Sequence, residues 1–152
     1  MRRLLLLTVT MFLAACGGSD SAHLTDYSPQ YVGTYSGSYT SSVTFASAGQ
    51  VSGTYNAAFQ ITAGTNASDL VWGGSCGLSG HASDASNFIT FQTTCTAHDP
   101  ASNCDYIYSF QAGNGTKNGN SMTMNLSGTA TANCPGGHDS GPITAVYHVT
   151  KI

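Results

Sequence analysis

The chain has 152 residues, among them four Lys or Arg, seven Asp, no Glu and five His, for a formal net charge of −3. From Cys16 onward only Lys117 and Lys151 remain as cations against seven Asp, a net charge of −5. That balance excludes neutralising a row of phosphates, and with it nucleic-acid binding, and it excludes attraction to an anionic membrane surface. A chain this short makes one domain, and low charge with eight Tyr argues that the domain is folded although aliphatic residues are few.

Arg2 and Arg3 precede an apolar run from Leu4 to Leu13, and Ala14 and Ala15 lead to Cys16. This is the layout of a short export signal, too short to cross a hydrocarbon layer of about 30 Å. The string Leu13-Ala14-Ala15-Cys16 resembles the lipobox of bacterial lipoproteins. That resemblance implies cleavage before Cys16, lipid (palmitate among its chains) on Cys16, and attachment to the membrane through that lipid. Gly17, in place of Asp, implies the outer membrane of the cell envelope; the alternative is a secreted protein in which Cys16 is incidental. Residues 1–15 are then the signal peptide, and residues 16–30 are the lipidated Cys and a polar tether with a root-mean-square reach of about 20 Å. Residues 31–152 form the single domain.

Along that domain no window sustains a period of 3.6, whereas alternation of period two recurs between clusters of Gly, Asn, Asp and Ser. Tyr31, Gly33, Tyr35, Gly37, Tyr39, Ser41, Val43 and Phe45 share one face of a first strand, and Val51, Gly53, Tyr55, Ala57, Phe59 and Ile61 share one face of the next. A hairpin centred on Ser47-Ala48-Gly49-Gln50 sets Tyr39 against Ala57, Gly37 against Phe59 and Ser41 against Tyr55, large against small. The pattern continues through Leu70 to Ala82, Ile89 to Cys95 and Cys104 to Phe110, a Gly-Asn-rich turn over Ala112 to Asn120, then Met122 to Ala130 and Ile143 to Val149. The expected fold is all-β: a small antiparallel up-and-down meander, barrel or sandwich, of seven strands, or eight if Gly73-Gly74 breaks the third. Glycines on inward faces fit a tightly coiled sheet.

Four Cys remain beside Cys16, and an even number in an oxidising compartment predicts two disulfides. The meander gathers them at one end of the sheet. Pairing between neighbouring strands favours Cys76–Cys95 and Cys104–Cys134; the rival is Cys95–Cys104 with Cys76–Cys134. Their spacings match no zinc pattern, and nothing in the sequence calls for a metal or a cofactor.

The loops at the Cys-rich end hold the one cluster of ionisable residues, His98, Asp99, Asp105, His138 and Asp139. Two His-Asp pairs at one rim are able to hold a divalent ion or orient a base, although short polar residues are also what exposed turns use. His81 and His148 fall on the water-facing side of their strands, and His23 belongs to the tether. Gly73-Gly74-Ser75-Cys76-Gly77 matches the string of a hydrolase nucleophile elbow without the helix that the elbow needs. Asp99, Asn103 and Asp105 lack the spacing of a calcium loop. The stripe of Tyr31, Tyr35, Tyr39, Tyr55, Phe59 and Trp72 is expected to be packed core, with a ligand cavity as the alternative. The Gly-x-Tyr pattern at the start of a meander is similar to lipocalins and avidins at the level of fold.

The leading expectation is a lipid-anchored lipoprotein of the bacterial envelope, without catalytic activity, that binds a small molecule or a protein or serves as a structural module. A second is a protein-binding inhibitor. Disulfide-braced barrels on lipoproteins resemble inhibitors of lysozyme-type hydrolases, which implies a basic enzyme as partner for this acidic barrel. A third is a small hydrolase using the His-Asp rim.

Overall fold

Residues with Tyr, Val, Thr and Ser in alternation bury one face and wet the other, and here that pattern is used almost throughout. The computed structural model describes residues 24–74 and 76–152; residues 1–15, expected to be a signal peptide, and Cys16, residues 17–23 and Ser75 lie outside the described residues. One short helix, α1 (Ser28–Tyr31), is followed by ten strands among the described residues. They are β1 (Gly33–Phe45), β2 (Gly49–Ala63), β3 (Asp69–Trp72), β4 (Ser79–Ala82), β5 (Asn87–Thr90), β6 (Thr93–Asp99), β7 (Cys104–Phe110), β8 (Gly113–Asn118), β9 (Ser121–Cys134) and β10 (Gly137–Lys151). All pairings are antiparallel, as the alternation predicts.

The strands run in the order β10-β1-β2-β3-β4-β5-β8-β9, and the further pairing of β9 with β10 closes them into an eight-stranded ring. Strands β6 and β7 stand outside this ring. The first half of β9 pairs with β8 (Asn114↔Asn125 to Asn118↔Ser121), and its second half pairs with β7 (Asp105↔Asn133 to Phe110↔Gly128). The barrel is therefore closed at one end and continues at the other as a curled sheet of β2-β1-β10-β9-β7-β6.

The strand count and order differ from the seven- or eight-strand meander. Gly73 and Gly74 do break the third strand, into β3 and β4, and the fourth divides at Phe91-Gln92 into β5 and β6. The Gly-Asn-rich stretch read as a turn holds β8. Its glycines serve its neighbours: a Cβ on Gly115 would lie 2.0 Å from Cζ of Phe88, so the bare strand makes room for that ring.

The first hairpin also pairs two residues away from its expected register. Tyr39 faces Tyr55, Gly37 faces Ala57 and Tyr35 faces Phe59, because β1 runs on to Phe45 and turns through Ala46-Ser47-Ala48 alone. Gly49 ends that three-residue turn at φ 72°, a left-handed bend that Gly tolerates. Asp139 of β10 holds the turn by accepting hydrogen bonds from the Ala46 and Ser47 amides at 3.2 and 2.8 Å.

The core fills the closed end. Tyr31, Tyr35, Phe88, Ile61, Leu70, Met122 and Met124 are fully buried there. Phe88 meets Tyr31 edge-on and lies tilted against Trp72, both at 5.6 Å between ring centres. The segment read as the last part of a tether is docked against this end. The Asp26 carboxylate accepts from the amides of Ser28 (2.9 Å) and Ser68 (2.7 Å), and the Tyr27 amide donates to Ser68 Oγ at 2.8 Å. Pro29 in the first turn of α1 then sets Tyr31 under the barrel as a plug.

Candidate functional site

At the open end the inward faces of β10, β1, β2, β9, β7 and β6 surround a cavity of about 1070 Å³. Its floor is the top of the core, with Trp72, Leu78, Met124 and Leu126; its walls are aromatic. Register builds the first wall. Tyr147, Tyr39 and Tyr55 stand directly opposite one another on β10, β1 and β2. Their rings stack at 4.8 Å (16° from parallel) and 5.2 Å (28°). The second wall runs along β7, where alternation puts Tyr106, Tyr108 and Phe110 on one face, stacked at 6.2 and 6.4 Å.

One side of the cavity has no wall. Above Gln60, β2 pairs only with β1, and β6 pairs only with β7, so each presents an unpaired edge among the described residues. Val51 and Tyr55 point inward yet are 52% and 49% exposed, which the gap between these edges explains. The Cys76–Cys95 disulfide ties β6 to the β3–β4 loop beside the gap, and Cys104–Cys134 joins β7 to β9 at the rim. Both bridges are the pairs favoured by neighbouring-strand logic, and the rival connectivity does not occur.

The aromatic stripe thus divides by height. Tyr31, Tyr35 and Trp72 are packed core as expected, while Tyr39 and Phe59 are only partly buried, Tyr55 is exposed, and these three line the cavity. Tyr106, Tyr108, Phe110 and Tyr147 complete the lining. The alternation already placed these four on apolar strand faces; pairing β10 with β1, which the sequence leaves open, is what brings Tyr147 to Tyr39.

Hydroxyl chemistry separates the two groups. The buried Tyr31 donates to the Asp84 carbonyl at 2.9 Å and Tyr35 to the Tyr31 carbonyl at 2.8 Å. The hydroxyls of Tyr39, Tyr55, Tyr108 and Tyr147 make no hydrogen bond to another described residue. Burial pushes the phenol of Tyr108 above its ordinary range, and Tyr106, Tyr39 and Tyr55 push it further. Tyr39 is raised by burial and then by Tyr55, and Tyr147 by burial and then by Tyr39. At neutral pH these groups are uncharged donors.

Charge is sparse. No Lys or Arg lines the cavity among the described residues. Lys117 sits at the closed end, with Nζ 5.9 Å from the centre of the Tyr31 ring, and Lys151 pairs with Tyr35 there. Asp139 is the one carboxylate in the lining, and it is fully engaged. The Ser47 hydroxyl is the main cause holding its carboxyl below the ordinary range, followed by the amides of Ser47, Ser140 and Ala46.

The other rim residues do not converge. His98 Nδ1 lies 2.8 Å from Asp105 Oδ1, on the outward face of the β6–β7 hairpin, with side chains 52% and 71% exposed. Asp99 accepts from the Ala101 amide (3.0 Å) and the Ser102 hydroxyl (2.6 Å), closing its own turn, and Asn103 in that turn has φ 53°. His138 is exposed at the mouth. Among the described residues no group of three or more His, Cys, Asp or Glu is placed to share a metal ion. His81 Nδ1 lies 3.1 Å from Asp69 Oδ1, and His148 Nδ1 lies 3.3 Å from Thr123 Oγ1, both on outward faces. Trp72 Nε1 is the one buried side-chain donor without a partner among the described residues.

Comparison with known proteins finds no matching family model, no matching curated protein and no matching solved structure.

Proposed function

We propose that the protein is a lipoprotein of the bacterial cell envelope, held to the membrane by lipid on Cys16, that binds a small molecule in the tyrosine-lined cavity and does not turn it over. The observation that carries this reading is a cavity of about 1070 Å³ with aromatic walls and unengaged hydroxyls, built at one end of a barrel whose other end is packed solid. The volume stands at the upper limit of small-molecule sites, and the apolar, aromatic lining with a few polar groups is of their kind. The described chain enters at the packed end, through Asp26, Tyr27 and α1. Residues 17–23 span at most about 25 Å when extended. An anchor at Cys16 therefore turns the packed end to the membrane and the mouth away from it, so the ligand arrives from the aqueous side.

Two measurements test the two halves of this reading. Labelled palmitate is expected to enter the wild-type chain and not the Cys16→Ser chain, which leaves the membrane fraction; equal labelling of both rejects the anchor. Native mass spectrometry of the protein recovered from its own envelope is expected to show bound mass that Tyr39→Ala loses. A wild-type mass equal to that of the bare polypeptide with its lipid rejects the ligand.

A second reading, an inhibitor that grips a basic hydrolase, is favoured by the net charge of −5 beyond Cys16 and by the unpaired, uncharged edge of β2 from Gly49 to Phe59. It requires a complex that weakens steeply with salt.

A further inference from the structure

The cavity has a definite chemical character, and three observations describe it. Its walls are two ladders of rings, Tyr147-Tyr39-Tyr55 across the strands and Tyr106-Tyr108-Phe110 along β7. The first ladder ends at Tyr55, which lies on the unpaired edge of β2 and is 49% exposed, with no strand beyond it to cover its outer side. Hydroxyls of Tyr39, Tyr55 and Tyr108 come from opposite walls, and none has a protein partner among the described residues, whereas Tyr31 and Tyr35 in the core are both satisfied. Finally, the lining has no Lys or Arg among the described residues, and its one carboxylate is spent on the β1–β2 turn.

Resting on the reading of this cavity as a ligand site, we propose that it takes an uncharged, planar ring molecule bearing a hydrogen-bond acceptor such as a ketone, seated between the two tyrosine ladders. The charge argument is one of desolvation. An anion entering the cavity leaves water for a space with no Lys or Arg among the described residues and with the Asp139 carboxylate in its lining, and both changes oppose it. A cation gains the negative faces of the rings, but finds no carboxylate free to pair with, since the Ser47 hydroxyl and three amides already occupy Asp139. A neutral ring avoids both costs and continues the offset stacking of the walls. Phenol hydroxyls are donors that a ligand acceptor satisfies inside the cavity, and Tyr108, partly buried in the middle of the β7 ladder between Tyr106 and Phe110, is the one placed to give it.

The test uses the chain from Gly17 onward, which holds every described residue and both disulfides, and four fluorescent probes. Prodan is a neutral naphthyl ketone; phenylnaphthylamine is neutral and has no carbonyl; anilinonaphthalene sulfonate is its anionic counterpart; a naphthyl trimethylammonium supplies the cation. Both neutral probes are expected to bind one to one, with the anion and the cation weaker by about tenfold or more. Tyr108→Phe keeps the ring and removes only the hydroxyl, so it is expected to weaken prodan about five- to tenfold and leave phenylnaphthylamine unchanged. Binding of either charged probe as tight as the neutral ones overturns this ligand class and leaves the cavity reading standing. So does a Tyr108→Phe effect equal on both neutral probes. Failure of every probe to bind the folded chain overturns the cavity reading itself.

Discussion

Tyr35 donates its hydroxyl to the main-chain carbonyl of Tyr31, four residues before it, at 2.8 Å. That bond fastens α1 to the first strand of the barrel, and Tyr31 passes the connection on to the Asp84 carbonyl between β4 and β5 at 2.9 Å. Both side chains are fully buried. Tyr31→Phe removes one hydrogen bond and is expected to cost about 1 kcal/mol. Tyr31→Ala empties the plug beneath Phe88 and is expected to cost about 3–5 kcal/mol. Urea unfolding midpoints check both; equal costs would mean that the ring contributes nothing beyond its hydroxyl.

The same tyrosine sets an alkaline limit. Burial pushes the Tyr31 phenol from 10.0 up to about 12, with Asp84 and Tyr35 adding to it. A group raised on folding contributes stability that is complete below its unfolded value, so stability is expected to hold to about pH 10 and then to fall as pH rises toward 12. Tyr35, Tyr39, Tyr108 and Tyr147 shift in the same direction and steepen that fall. Tyr31→Phe is expected to lessen the alkaline loss, read from unfolding free energies between pH 8 and 12.

On the acid side the controlling groups are carboxylates that accept hydrogen bonds in turns. Asp139 is held below its ordinary 3.8 by Ser47 first, and Asp84 by Asn87 first. A lowered group stabilises the fold above its unfolded value and loses that contribution as pH falls through its folded one. Asp139→Asn is therefore expected to be less stable than wild type at pH 7, with the difference shrinking below about pH 4. A difference independent of pH would assign the effect to the altered shape of the side chain.

Gly115→Ala is expected to destabilise by about 1–3 kcal/mol, because the added Cβ meets the Phe88 ring and β8 cannot move away without leaving β5 and β9. A thermal unfolding scan decides. An unchanged midpoint would show that Phe88 has room to rotate.

The Cys76–Cys95 bridge closes a separation of 19 residues and is worth about 3 kcal/mol by loop entropy. It is also the covalent link between β6 and the wall of the closed ring. Replacing both Cys by Ala is expected to speed amide exchange over residues 93–99 more than over residues 121–125 of β9, where β8 and β10 pair on both sides. Uniform acceleration would mean that the hairpin and the ring open together.

Fold class was legible because alternation depends on nothing beyond the strand itself, and neighbouring-strand logic favoured the two disulfides that occur while leaving one rival connectivity open. What escaped depends on distant partners. The β1–β2 register is pinned by Asp139, some ninety residues along the chain. Gly113 and Gly115 look like turn residues until Phe88 and β9 are set beside them. Of the rim cluster, His98 does find a carboxylate, but it is Asp105 across the hairpin rather than adjacent Asp99, since neighbours in a strand point to opposite faces. The aromatic stripe could be placed on an inward face but not sorted into core and cavity, because that depends on the height at which β3, β4, β5 and β8 stop.

The ring is closed by its first and last strands: Tyr35 to Val43 of β1 lie along Ile143 to Lys151 of β10, and β10 also carries β9. Timing follows from this. While the chain is being made, its opening hairpin waits for the fifteen residues of β10 before the barrel has a second side, and pairings that bridge such distances form late and slowly. Until β10 is in place such a polypeptide stays slack, and the rigidity of the whole ring arrives in one late step.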